Sequence, residues 1–175
     1  MANREALREL QSRLAERLQR ARTESRSASW LAVECAGQGL LVPLASAGEI
    51  FPVSALLPVP HTRSWFVGVA NLRGGLHGVV DLAAFLGLRA PLAPDALREQ
   101  SRLLALNPAI GAHCALLVDR LAGLRNPEQM QPESDDGAPR PSFAGPVWRD
   151  GEGRRWQEID LVALARHEQF LGIAA

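Results

Sequence analysis

Lysine and tyrosine are both missing from the 175 residues, and 19 cationic side chains, all arginine, balance 19 acidic ones to a formal net charge of zero. Without lysine there is no P-loop cation, no Schiff-base amine and no Ser-Lys pair. Without tyrosine no phenol can act as a general acid. Zero net charge argues against a nucleic-acid binder, which carries a basic stripe and a high pI. The all-arginine cation content reads as the codon bias of a GC-rich genome. Cysteine is scarce: Cys35 and Cys114 sit in apolar contexts and read as reduced, buried thiols, which points to the cytosol. No run approaches 18 uninterrupted apolar residues, so no direct membrane insertion is expected. The charges spread through Met1–Glu9 argue against a signal peptide.

What is present is an ordinary globular composition, 47% apolar and 22% charged. The length fits one domain able to bury roughly two-thirds of its unfolded surface. Residues 3–22 read as one amphipathic helix, with Leu7, Leu10, Leu14 and Leu18 on one stripe and Glu9–Arg13 and Glu16–Arg20 at i,i+4. Such a stripe is read first as docking on its own domain. The Glu residues among its Arg residues argue against an anionic membrane surface.

After the polar stretch Thr23–Ser29 the texture changes to short apolar runs punctuated by Gly and Pro. The runs are Trp30–Val33, Leu40–Leu44, Glu49–Val53, Phe66–Ala70 and Leu76–Val80, then Arg102–Leu106 and His113–Asp119. Many short strands predict a mainly β fold, a barrel or a sandwich. Gly37-Gln38-Gly39 is expected to turn a hairpin. Residues 90–101 read as a loop or helical turn. Residues 131–155, rich in Pro, Gly and Asp, read as a mobile surface excursion. Trp156–Leu161 resumes the strand pattern, and a closing helix runs through Phe170.

Three apolar runs end in aspartate, at Asp81, Asp119 and Asp160. A carboxylate there can accept backbone N–H groups and cap the next turn, so all three are read as structural caps before catalytic carboxylates. Other chemistry is sparse. His77 and Asp81 lie about 13 Å apart along an extended strand, too far to share a proton. His113 and Cys114 are neighbours, and strand neighbours point to opposite faces. Four scattered histidines and two distant cysteines have no metal-ligand spacing, and no cofactor motif is present. An enzyme using His77, Asp81 or Asp119 in a cleft, or a free-standing peptide-binding barrel, stays open as an alternative.

One segment is concentrated and unusual. The run Phe66–Ala70 enters an Asn71-Leu72-Arg73-Gly74-Gly75 corner, and Leu76–Val80 leaves it. Asn and Gly tolerate positive φ, which suits a sharp corner. Arg73, flanked by apolar strands, is expected to need a carboxylate partner, because an unpaired guanidinium there is costly to desolvate. Glu49, between two apolar runs, is the leading candidate. The pair either satisfies itself or orders a protein-binding face.

With Pro60, Trp65, Gly68, Asn71, Leu72, Arg73, Gly74, Val79, Asp81, Leu82 and Leu86-Gly87 in register, Val59–Leu88 resembles the signature of the CheW domain, the coupling module of bacterial chemosensory systems. Arg102–Leu106, Ala115–Asp119 and Pro127–Met130 resemble the strands and turn that follow it. The resemblance covers about residues 29–172, dividing the chain into a leading helix and linker, 1–28, and a CheW-like domain, 29–175. It implies two small five-stranded β-barrels built from one interleaved chain, to which the periodicity adds the N-terminal helix and the closing helix. It also implies a non-catalytic cytoplasmic adaptor, without cofactor or metal, between the cytoplasmic tip of a methyl-accepting chemoreceptor and a CheA-type histidine kinase. Glu49 and Arg73 look like the acidic and basic coupling positions, with Gly68, Asn71 and Gly74 in the same functional region. Ala115 stands where the family usually has glycine. The leading helix and the 131–155 excursion resemble the couplers of type IV pilus (twitching) systems more than flagellar ones.

Overall fold

In the computed structural model the described residues are 9, 11–13, 15, 16, 29–93, 97, 99–134 and 137–175. Strands β1 (Trp30–Cys35) and β2 (Gln38–Pro43) begin one sheet. The chain then builds a second from β3 (Ala47–Pro52), β4 (Phe66–Leu72), β5 (Gly75–Asp81), β6 (Arg102–Leu106) and β7 (Cys114–Val118). It returns to the first with β8 (Arg120–Arg125), β9 (Met130–Pro132), β10 (Ala144–Asp150) and β11 (Arg155–Ile159). The sheet orders are β8-β1-β2-β11-β10-β9 and β3-β6-β7-β5-β4. The architecture is mainly β and interleaved, as expected, with a sixth, three-residue edge strand on the first sheet.

Three apolar layers explain why several strands read as continuous hydrophobic runs. On β1, Trp30 and Ala32 pack with Leu41, Met130 and Trp156 inside the six-stranded sheet, while Leu31, Val33 and Cys35 face the other way. On β7, Ala115 and Leu117 pack with Val79 and Leu103 inside the five-stranded sheet, while Leu116 and Val118 face the same central layer as Leu31 and Val33. A strand covered on both faces has no polar side to alternate with. The central layer is the interface between the two halves, and Trp65, Phe85, Phe143 and Phe170 close it with edge and stacked ring contacts.

Several expectations need correction. Residues 131–155 are not a single excursion: Ala144–Asp150 is a strand paired with β9 and β11. Its anchors are Val147, which is buried, and Trp148, whose ring lies 4.9 Å from that of Trp30. Arg120–Arg125 is also a strand, unmarked in sequence because Gly123 breaks its pattern at a bulge and none of it is buried. The first hairpin turns at Ala36-Gly37, both at positive φ, with Gln38 already in β2. The closing helix is two, Leu161–Arg166 and Glu168–Leu171, divided at an extended His167. Most of the leading segment, including Leu7, Leu10, Leu14 and Leu18, lies outside the described residues. Within it Glu9, 11–13, 15 and 16 are helical and exposed, and Arg13 pairs with Glu9 at 2.6 Å.

Candidate protein-interaction site

β4 and β5 pair antiparallel down to Leu72 opposite Gly75, leaving Arg73 and Gly74 as a two-residue turn. Their φ values, 51° and 81°, are both positive, as a primed hairpin turn requires. Gly74 takes this conformation freely; Arg73 does not, at about 1–2 kcal/mol. Asn71 Oδ1 accepts the Gly74 N–H at 2.8 Å and holds the corner from the strand side. Asn71 itself stays extended in β4, so the residue carrying the left-handed conformation is the arginine rather than the asparagine the sequence favoured.

The Arg73 guanidinium reaches Glu49 Oε1 at 2.6 Å. The pair is not buried: the side chains are 76% and 44% exposed. The expected partner is present, but desolvation is not the reason for it. What joins them is the shape of the sheet. Glu49 lies on β3 and Arg73 just beyond β4, and these two strands are opposite edges of the five-stranded sheet. Phe51 of β3 and Val67 of β4 pack on the same interior cluster, so the sheet curls into a barrel and its edges meet at the corner.

Gly68 lies at a bulge in β4, at φ 138°. Segment 53–60 crosses the outside of this edge, and Leu57 exchanges two backbone hydrogen bonds with Val69, at 2.8 and 2.9 Å. A Cβ on Gly68 would stand 2.2 Å from the Leu57 carbonyl oxygen, so only glycine admits this crossing. Leu57 and Leu76, each 63% exposed, and Ile50, 36% exposed, lie on the elements that frame the corner. An exposed ion pair, a fixed turn and apolar side chains together suit contact with another protein.

The other candidate residues lie elsewhere. Asp81 Oδ1 accepts from Ala84 N at 3.2 Å at the start of the helix Leu82–Phe85. Asp160 Oδ1 accepts from Val162 N and Ala163 N at the start of the helix Leu161–Arg166. Asp119 caps no helix. It is the single residue between β7 and β8, where the chain passes from one sheet to the other, and its Oδ2 accepts the Ala36 N–H at 2.6 Å. Arg89, which the sequence did not single out, joins Asp81 at 2.6 Å and Asp119 at 3.0 Å. Burial works to lower the Arg89 pKa, but its hydrogen bonds to the two carboxylates outweigh that and hold it above the ordinary value. No sequence signal marks this residue, because its partners are assembled only by the fold.

The geometry offers no catalytic dyad at the candidate positions. His77 turns to the Gly75 carbonyl, and Asp81 is engaged by Arg89. Burial raises both the Cys35 and Cys114 thiols to about 12, with the Asp119 charge adding to the shift at Cys35 against a hydrogen bond to the Asp119 backbone, so neither thiol is activated. Beside the central layer an apolar groove of about 600 Å³ opens between the halves, lined by Leu40, Phe85, Leu88, Phe143 and Ile159 among others.

The CheW-like domain family matches residues 29–169. Protein PilI of Pseudomonas aeruginosa is 30% identical over 168 residues, covering 93% of this chain and 89% of PilI. The crystal structure of the scaffolding protein TtCheW from Thermoanaerobacter tengcongensis shares the fold, with a TM-score of 0.61 at 16% identity over 77% of this chain and 89% of TtCheW.

Proposed function

The chain belongs to the CheW-like domain family, whose members are non-catalytic scaffolds, and from that premise we propose that it couples chemoreceptors to a CheA-type histidine kinase in a chemosensory array that controls type IV pilus motility. The partners in this reading are the kinase's regulatory domain and the cytoplasmic tip of a methyl-accepting chemoreceptor. The protein works in the cytoplasm, recruited to arrays at the membrane and neither inserted in it nor bound to nucleic acid. Among the described residues no helix is long and apolar enough to cross a membrane.

The observation that carries the reading is the corner. Arg73 is held in a conformation unfavourable to arginine, at the tip of a hairpin, with its charge in solvent beside Glu49. Strain retained at an exposed position favours a role in contact with a partner over one in stability. The 30% identity with PilI over nearly the whole chain supports a pilus system over a flagellar one.

Co-purification of the full chain with its cognate kinase and with a receptor signalling fragment tests the proposal. Retention of both partners, each reduced at least tenfold by Arg73→Glu, is the expected result. Failure to retain either partner would overturn it.

A further inference from the structure

β5 and β7 run parallel with Gly78 opposite Cys114, and one step earlier the same register sets His77 opposite His113. The Gly78 N–H donates to the His113 carbonyl at 3.0 Å, continuing the ladder to this position. Residues two apart on a strand share a face, so His77 lies on the side of Val79, and His113, immediately before β7, brings its ring alongside. They stand at the end of the five-stranded barrel that carries Arg73 and Glu49. The two rings are 5.9 Å apart between centroids, inclined at 72°.

His77 Nδ1 lies 3.0 Å from the Gly75 carbonyl oxygen. A carbonyl can only accept, so this contact is a hydrogen bond when Nδ1 donates, and in that tautomer of the neutral ring Nε2 is the free ligand nitrogen. A backbone carbonyl gripping the far nitrogen is the arrangement that orients metal-binding histidines and fixes their tautomer. Gly75 makes room for it: a Cβ there would stand 3.2 Å from His77 Cε1. With metal–nitrogen bonds of about 2.1 Å, one ion shared by two imidazoles sets their centroids about 5 Å apart. The observed separation is within about 1 Å of this, a closure that side-chain rotation of the exposed His113 supplies. Cys114 is excluded as a ligand, since it points into the central layer with its thiol raised to about 12.

We propose that His77 and His113 chelate a late first-row divalent cation, Zn²⁺, Ni²⁺ or Cu²⁺, the ions that imidazole ligands suit, with water completing the coordination. The two are 36 positions apart, so local spacing does not reveal them; the parallel pairing of β5 with β7 does. Arg73 at the same mouth does not repel the ion strongly, because Glu49 compensates its charge.

Calorimetric titration of Zn²⁺ into the untagged full chain, with imidazole nitrogens followed by NMR, tests the site without any partner protein. One ion per chain is expected, with the His77 and His113 signals moving together. His77→Ala and His113→Ala each weaken binding at least tenfold, and the double variant is no worse than either single one. His61→Ala and His167→Ala leave binding unchanged. Absence of wild-type binding, equal binding by the His113→Ala variant with its melting temperature intact, or loss on His61→Ala or His167→Ala would each overturn the proposal.

Discussion

Arg73 combines an unfavourable backbone with an exposed charge, and the two properties predict different responses to substitution. Arg73→Gly removes the Cβ clash of the left-handed conformation and is expected to raise stability by about 1 kcal/mol, while partner binding falls. Urea unfolding beside a binding assay separates the two effects. An exposed pair contributes only about 0.2–1 kcal/mol to folding, so Arg73→Glu is expected to fold normally. Gly68 behaves oppositely. With φ at 138° and the Leu57 carbonyl 2.2 Å from the added Cβ, Gly68→Ala is expected to cost about 3 kcal/mol or more and lower the melting temperature. The pairing of Glu49 with Arg73 was legible in the sequence, yet for a reason that does not apply, since the guanidinium is in water. Arg89 was not legible at all. It is one arginine among 19, and its partners Asp81 and Asp119 meet it only after two sheets are built.

At the scale of elements, that same triad fastens the helix after β5 to the point where β7 becomes β8. Asp81 is 1% exposed, so removing its cation leaves a buried charge unpaired. Arg89→Ala is therefore expected to destabilise by about 3–5 kcal/mol, and adding Asp81→Asn to recover a large part of it. Urea midpoints of the single and double variants check this; additive losses would contradict it. The strands that were read correctly, such as β1 and β7, are those buried on both faces, where composition alone speaks. β8 and β10 escaped because their signals are mixed. β8 has no buried residue and is bulged at Gly123, and β10 hides two anchors, Val147 and Trp148, in a stretch dominated by Pro, Gly and charge. The turn at Ala36-Gly37 was displaced by one residue because alanine gives no sign that it will adopt positive φ.

For the molecule as a whole, acid stability has contributions from Glu34 and from Asp150, both held below their ordinary values, and Glu34 is the one tied to two arginines. Its carboxylate is held below the ordinary value of 4.5, chiefly by its hydrogen bond from Arg120, against the opposing pull of burial and with Arg154 assisting. A carboxylate whose pKa is lower in the folded state stabilises fully above its unfolded value. That stabilisation is lost as pH falls through the folded value. Urea midpoints are thus expected to drop on acidification below about pH 4.5, and Glu34→Gln to lower stability at neutral pH while flattening that acid limb. An unchanged slope in the variant would contradict the assignment.

The domain begins on the six-stranded sheet, and its C-terminal residues pair with segment 61–63 ahead of β4, while the Arg73 corner of the five-stranded barrel stays exposed. The central claim is that this corner transmits signals between partners and catalyses nothing itself. Its most direct test is kinase autophosphorylation reconstituted with a receptor signalling fragment, with and without this protein. Receptor control of the kinase is predicted only when the chain is present, and Arg73→Glu is predicted to abolish it at an unchanged melting temperature. Receptor control without the chain, or full control with the stably folded Arg73→Glu variant, would contradict the account.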